Sequence, residues 1–134
     1  MKLKKSMFTI VFFLLAASFI PTVIFAEDVV SEVLLVIQPD EILAFSSLKN
    51  NWVSESLGHN EKVLKKGANG NVAVVVTNKR LLGFSALTNE WRKENLGFNE
   101  LIDEIQVDGN AASVVTVRRI FGFNAHTGDW LEAK

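Results

Sequence analysis

Leu82-Gly-Phe-Ser-Ala-Leu-Thr-Asn-Glu-Trp91, LGFSALTNEW, is the stretch on which the architecture turns, because the chain contains it three times. LAFSSLKNNW occupies 43–52 and FGFNAHTGDW occupies 121–130. Phe45, Phe84 and Phe123 fall 39 residues apart, as do Trp52, Trp91 and Trp130. Val36, Val75 and Val114 keep that interval, and so do Ile42, Leu81 and Ile120. Leu57-Gly58 answers Leu96-Gly97, Asn60-Glu61 answers Asn99-Glu100, and Gly70-Asn71 answers Gly109-Asn110. No gap interrupts the register from about residue 33 to residue 130. A fixed period near 40 marks a repeat architecture.

The pattern inside each unit selects strands. Val72–Thr77 and residues 112–117 are short, β-branched and nearly continuous in apolar character, which fits buried strands. Asn78-Lys79 is a polar break, and residues 80–86 read as a second strand. Thr88-Asn-Glu90 and Thr127-Gly-Asp129 carry turn chemistry. Residues 91–96 read as a third, more polar strand that ends at Gly97. Residues 100–107 read as a fourth, with a spacing that also permits a helical turn. Asp108-Gly-Asn110 turns the chain into the next unit. The expected fold is therefore all-β, with units at about 29–70, 71–109 and 110–134. Each unit would hold four short antiparallel strands, graded from an apolar first to a polar last, and the final unit would lack its fourth.

The N-terminus is read apart from the fold. Residues 1–5 are basic, 7–20 are apolar except for Thr9 and Ser18, and Pro21 and Ala26 precede the acidic Glu27-Asp28. This is the layout of a signal peptide over residues 1–26, cleaved near Ala26, which leaves one all-β domain over 27–134. It points to a bacterial periplasmic or secreted protein. The rival reading is a retained anchor, which would be the chain's sole tie to a membrane. Without Lys2, Lys4 and Lys5, 11 basic residues face 15 acidic ones, a balance that argues against nucleic acid. The chain has no cysteine, which excludes disulfides and thiolate metal sites.

Phe123-Asn-Ala-His-Thr-Gly-Asp-Trp130, with Phe84-Ser-Ala-Leu-Thr-Asn-Glu-Trp91 as a weaker copy, resembles the β-propeller repeat superfamily, nearest its quinoprotein-like members. Ser46, Ser85 and Asn124 stand where that pattern has Asp. The resemblance implies blade architecture and transfers no catalytic or cofactor residue. Three blades are too few for a ring, since propellers close with about four to eight. It therefore implies a partial propeller completed by self-association, two chains making six blades, with a trimer or a compact barrel-like monomer as rivals. A second likeness, of Val74-Val-Val-Thr-Asn-Lys-Arg-Leu-Leu82 to the strand pair of bacterial pleckstrin-homology-like domains, leaves the 39-residue period unexplained.

Trp52, Trp91 and Trp130 are the candidate ligand-stacking residues, one per unit. The competing reading packs each ring between neighbouring units, its indole N–H on a turn carbonyl. Phe45, Phe84 and Phe123 read as core, with Ala44, Gly83 and Gly122 before them allowing close backbone approach. Arg80 and Arg119 recur, while Glu41 holds that place in the first unit, so a salt bridge or solvated strand end is expected, worth about 1 kcal/mol or less. His59 and His126 occupy unrelated positions and make no metal motif. Asp103, Glu104 and Asp108 read as a solvated strand. The functional expectation is an exported, non-catalytic binding or interaction module with no cofactor. Its alternatives are a lectin-like glycan binder, a subunit of a quinoprotein-like or lyase-type enzyme, or a remnant of a larger propeller.

Overall fold

The computed structural model describes residues 30–134; the expected signal segment, 1–26, lies outside them. The described chain is all-β, with eleven strands in three antiparallel sheets and no helix. The first sheet is β1 (Val33–Ile37), β2 (Glu41–Ser46) and β3 (Asn51–Ser56). The middle sheet is β4 (Val63–Asn69), β5 (Val72–Thr77), β6 (Arg80–Ser85) and β7 (Glu90–Asn95). The third is β8 (Ile102–Asp108), β9 (Ala111–Thr116), β10 (Ile120–Asn124) and β11 (Asp129–Glu132). Every strand pairs with its sequence neighbour, so each sheet is a meander.

The sheets divide the chain differently from the units expected above. The segment expected to close the second unit is β8, and it pairs with β9 at the start of the third sheet. The third sheet is thus complete, and the first has three described strands. The reason is the turn. Gly109, at φ +59, joins β8 to β9 in a tight hairpin, whereas 96–101 is a longer crossover between sheets. Gly70, at φ +56, makes the matching hairpin between β4 and β5. The expected gradient of polarity is also replaced. In the middle sheet β5 is wholly buried and β6 nearly so, while β4 and β7 on the two edges are largely exposed.

The sheets stack face to face with the middle one sandwiched: β4 and β5 pack on β8 and β9, β1 on β4 and β5, and β7 on β3 and β11. This explains the apolar runs of β5 and β6. A strand covered on both faces has no polar alternation, whereas β2 and β9, covered on one face, alternate. Phe84 faces the first sheet with Val33, Ala44, Ala73 and Ala86. Leu81, Val72, Val74 and Val76 face the third with Val114, Phe121 and Phe123. Gly83 admits that contact, since a Cβ there would lie 2.6 Å from Phe123 Cδ2 and Cε2.

Candidate functional site

The three tryptophans follow one local plan. Each is the second residue of the last strand of its sheet and stands opposite the phenylalanine of the adjoining strand, as Phe45↔Trp52, Phe84↔Trp91 and Phe123↔Trp130. Opposed residues share a face, and the ring pairs lie 5.2, 5.2 and 5.0 Å apart by centroid. The surroundings then diverge. Trp91 donates its indole N–H to Val53 O on the first sheet, 3.0 Å away. Trp130 donates to Arg92 O on the middle sheet, also at 3.0 Å. Both rings thus sit at sheet contacts, and their acceptors are strand carbonyls where turn carbonyls were expected. Among the described residues no sheet lies in front of Trp52, which is 51% exposed. Phe45 beside it is half-buried, so of the three phenylalanines expected in the core only Phe84 and Phe123 are there.

The two arginines build more than a surface pair. Glu61 lies in the crossover from the first sheet to the middle one, and its side chain is only 2% exposed. It accepts from Arg80 Nε at 2.9 Å, Thr77 Oγ1 at 2.7 Å and Gly58 N at 2.8 Å. Burial pushes the Glu61 carboxyl up, but these hydrogen bonds and the guanidinium outweigh burial and hold it at about 2. Glu100 repeats the arrangement in the next crossover with Arg119, Thr116 and Gly97 N at 2.7–2.9 Å. There the Arg119 bonds lead, and the carboxyl is again held at about 2. Both arginines are correspondingly stabilised in their charged form, chiefly by these carboxylates. Arg80 Nη2 also reaches Ser56 O and Arg119 Nη2 reaches Asn95 O, each on the preceding sheet.

These clamps fix where the chain crosses between sheets. Their carboxylates are buried and their arginines partly so, unlike the surface pair expected from the arginines alone. The signal was present in the spacing, since Glu61 and Glu100 stand at the same interval as Arg80 and Arg119. What was missing was the proximity of a loop residue to a strand start 19 positions later. All four ionised groups are held by one another and by neighbouring backbone and hydroxyl groups, so each clamp ties a crossover to its sheet.

The remaining candidates are dispersed. His59 and His126 are exposed, as are Asp103, Glu104 and Asp108 on the edge strand β8. Among the described residues no group of three His, Asp or Glu side chains could hold a metal ion.

The outstanding surfaces are the two ends of the stack. The first sheet's outer face carries Leu34, Val36, Leu43, Phe45 and Trp52, which register places on one side. The third sheet's outer face carries Ala111, Ser113, Val115, Ile120, Gly122 and Leu131. An open groove at this end of the stack is lined by residues that include Ser113, Gly122, Leu131 and Glu132. A Cβ on Gly122 would meet nothing nearer than Leu131 O at 3.9 Å. Comparison with protein-family models gives no match, and comparison with curated proteins finds no relative, so the geometry of these faces carries the functional argument.

Proposed function

We propose that the chain is an exported, non-catalytic interaction module, an open run of three β-propeller-like blades that acts through its two end faces. The observation that carries this reading is the Phe45–Trp52 pair. It has the 5.2 Å ring geometry of Phe84–Trp91, yet it points outward where the inner pair meets a neighbouring sheet. A β-sheet that leaves Leu34, Val36 and Trp52 on one open face presents an apolar patch suited to a partner. The recurring ionisable residues support binding over chemistry, because Glu61, Arg80, Glu100 and Arg119 are spent on one another. The basic residues 1–5 and the apolar run before Ala26 support export.

A photo-crosslinking amino acid at Ser54 on the first outer face, or at Ser113 on the second, tests the reading in expressing cells. Adducts are expected from both and none from Lys49 in an exposed turn. Absence of adducts from both faces would overturn it. A second reading, glycan stacking, is favoured at Trp52 alone, because the indole N–H groups of Trp91 and Trp130 are taken up between sheets. Binding on a glycan array that is lost in Trp52→Ala would select it.

A further inference from the structure

The two end faces match each other, and we infer that the first sheet of one copy docks on the third sheet of a second copy, in the register that the internal sheet contacts use. This rests on the end faces being binding surfaces and names their occupant.

The two internal contacts supply the template. In each, a sheet turns its Phe–Trp face toward the preceding sheet, which offers a small residue beneath the phenylalanine. Phe84 shares a cluster with Ala44, and Phe123 lies over Gly83. The tryptophan then donates to a carbonyl on that preceding sheet, Val53 for Trp91 and Arg92 for Trp130. Adding 39 to each acceptor series predicts the next partners. The small residue after Ala44 and Gly83 is Gly122, and the carbonyl after Val53 and Arg92 is Leu131. Both stand on the third sheet's outer face, opposite each other in the ladder. Gly122 is open and Leu131 is 75% exposed. The knob and the donor that no described sheet covers are Phe45 and Trp52, paired on the first sheet's outer face, with Trp52 51% exposed.

Size and charge agree with the match. In the internal contacts a small residue on the Phe–Trp face meets larger ones: Ala73 clusters with Val33 and Leu35, and Ala112 with Val72 and Val74. At the outer faces the sizes are exchanged, Leu34 standing in the place of Ala73 and Ala112, and Ala111 and Ser113 in the places of Val72 and Val74. Summed size stays close to that of the internal contacts, as close packing favours. The arginine series Arg80, Arg119 has Glu41 as its remaining member. The backbone carbonyls those arginines reach, on Ser56 and Asn95, continue to that of Lys134. In the docked register Glu41 therefore stands beside Lys134, a residue of opposite charge, where the internal arginines meet backbone carbonyls.

A head-to-tail contact makes rings if it closes and filaments if it does not. Two copies supply six sheets, inside the range of about four to eight with which propellers close, and three copies supply nine, outside it. The inferred assembly is a two-chain ring with two identical contacts.

The test is the solution mass of the protein as purified from cells expressing the full chain, across micromolar concentrations. The expected mass is that of two chains. Trp52→Glu and Gly122→Lys, each on an exposed face, are each expected to yield single chains with unchanged circular dichroism. Mixing those two variants should restore a two-chain species, because one unaltered face of each kind remains in the mixed pair. Glu41→Lys should weaken the dimer and Lys134→Glu in the same chain should restore it, which guards against a misfolded first pair. A single-chain mass for the wild type overturns the inference, and so does a dimer broken by Trp52→Glu but untouched by Gly122→Lys, which would mean the first face pairs with itself. Should end-face adducts form with another protein while the purified mass stays at one chain, self-docking fails and the interaction-module reading stands.

Discussion

Replacing Gly83 by alanine isolates the contact between the middle and third sheets. The new Cβ would lie 2.6 Å from Phe123 Cδ2 and Cε2 and 3.0 Å from Cγ, well inside contact distance. Relief requires the ring to move by about 1 Å, since carbon atoms pack at about 3.5–4.0 Å. Phe123 is 2% exposed and held against Trp130 at 5.0 Å, so the ring has nowhere free to go. Overpacking of this kind costs about 1–3 kcal/mol. Loss of a strand glycine returns about 0.5–1 kcal/mol through the unfolded chain. The net expectation is a loss of about 1–2 kcal/mol, or a melting point lower by roughly 5–10 °C for a domain of this size. Urea unfolding followed by far-ultraviolet circular dichroism measures it, with Gly122→Ala as the control. Gly122 has the same place in the 39-residue repeat, but in the single chain its Cβ would enter open space. In a Trp52→Glu background, where the chain is expected to be single, it should be neutral or gain up to about 1 kcal/mol. Equal or greater stability of Gly83→Ala, or an equal loss from Gly122→Ala, would refute the packing argument.

Three further outcomes follow from the same geometry. Phe84→Ala should cost about 3–5 kcal/mol, and Phe45→Ala clearly less in dilute solution, because only Phe84 is fully enclosed; equal losses in urea unfolding would contradict the stack. Trp91→Phe removes the donor to Val53 O and should cost about 1 kcal/mol by the same assay, while an unchanged midpoint would show the bond is not held in solution. Glu61 and Glu100 are held at about 2 against an ordinary 4.5, so their contribution is fully present above pH 4.5 and lost as pH falls toward 2. Each shift corresponds to about 3 kcal/mol. Glu100→Gln should therefore be less stable at pH 7 and flatter with pH below 4.5 than the wild type, and parallel pH profiles would exclude a native-state carboxylate there.

Much of this was legible in the residues. The turns were, because asparagine and glycine recur where φ is positive: Asn50, Asn89 and Gly128 in one series, Asn60 and Asn99 in another. The buried runs of β5 and β6 were legible too, since apolar residues without alternation need cover on both sides. The assignment of β8 was not, because hydrogen bonding across the tight Gly109 turn competes with sequence proximity to β7, and only the ladder resolves it. The tryptophans illustrate the limit most directly. Trp52, Trp91 and Trp130 are alike in their local sequence and in their pairing with a phenylalanine. What separates two sheet anchors from one open platform is whether a sheet lies in front.

By itself, then, the sequence determined the period, the all-β class, the turns and the residues that recur, because each of these depends on interactions within a few positions or on a pattern of residue types. Tertiary structure decided the strand grouping, the burial of the Glu61 and Glu100 clamps, and which faces remain open. Those depend on contacts between residues distant along the chain, as when Arg80 ties a crossover loop to the sheet before it. Similar local sequences acquire different roles by their place in the stack, since among the described residues the middle sheet has two neighbours and each end sheet has one.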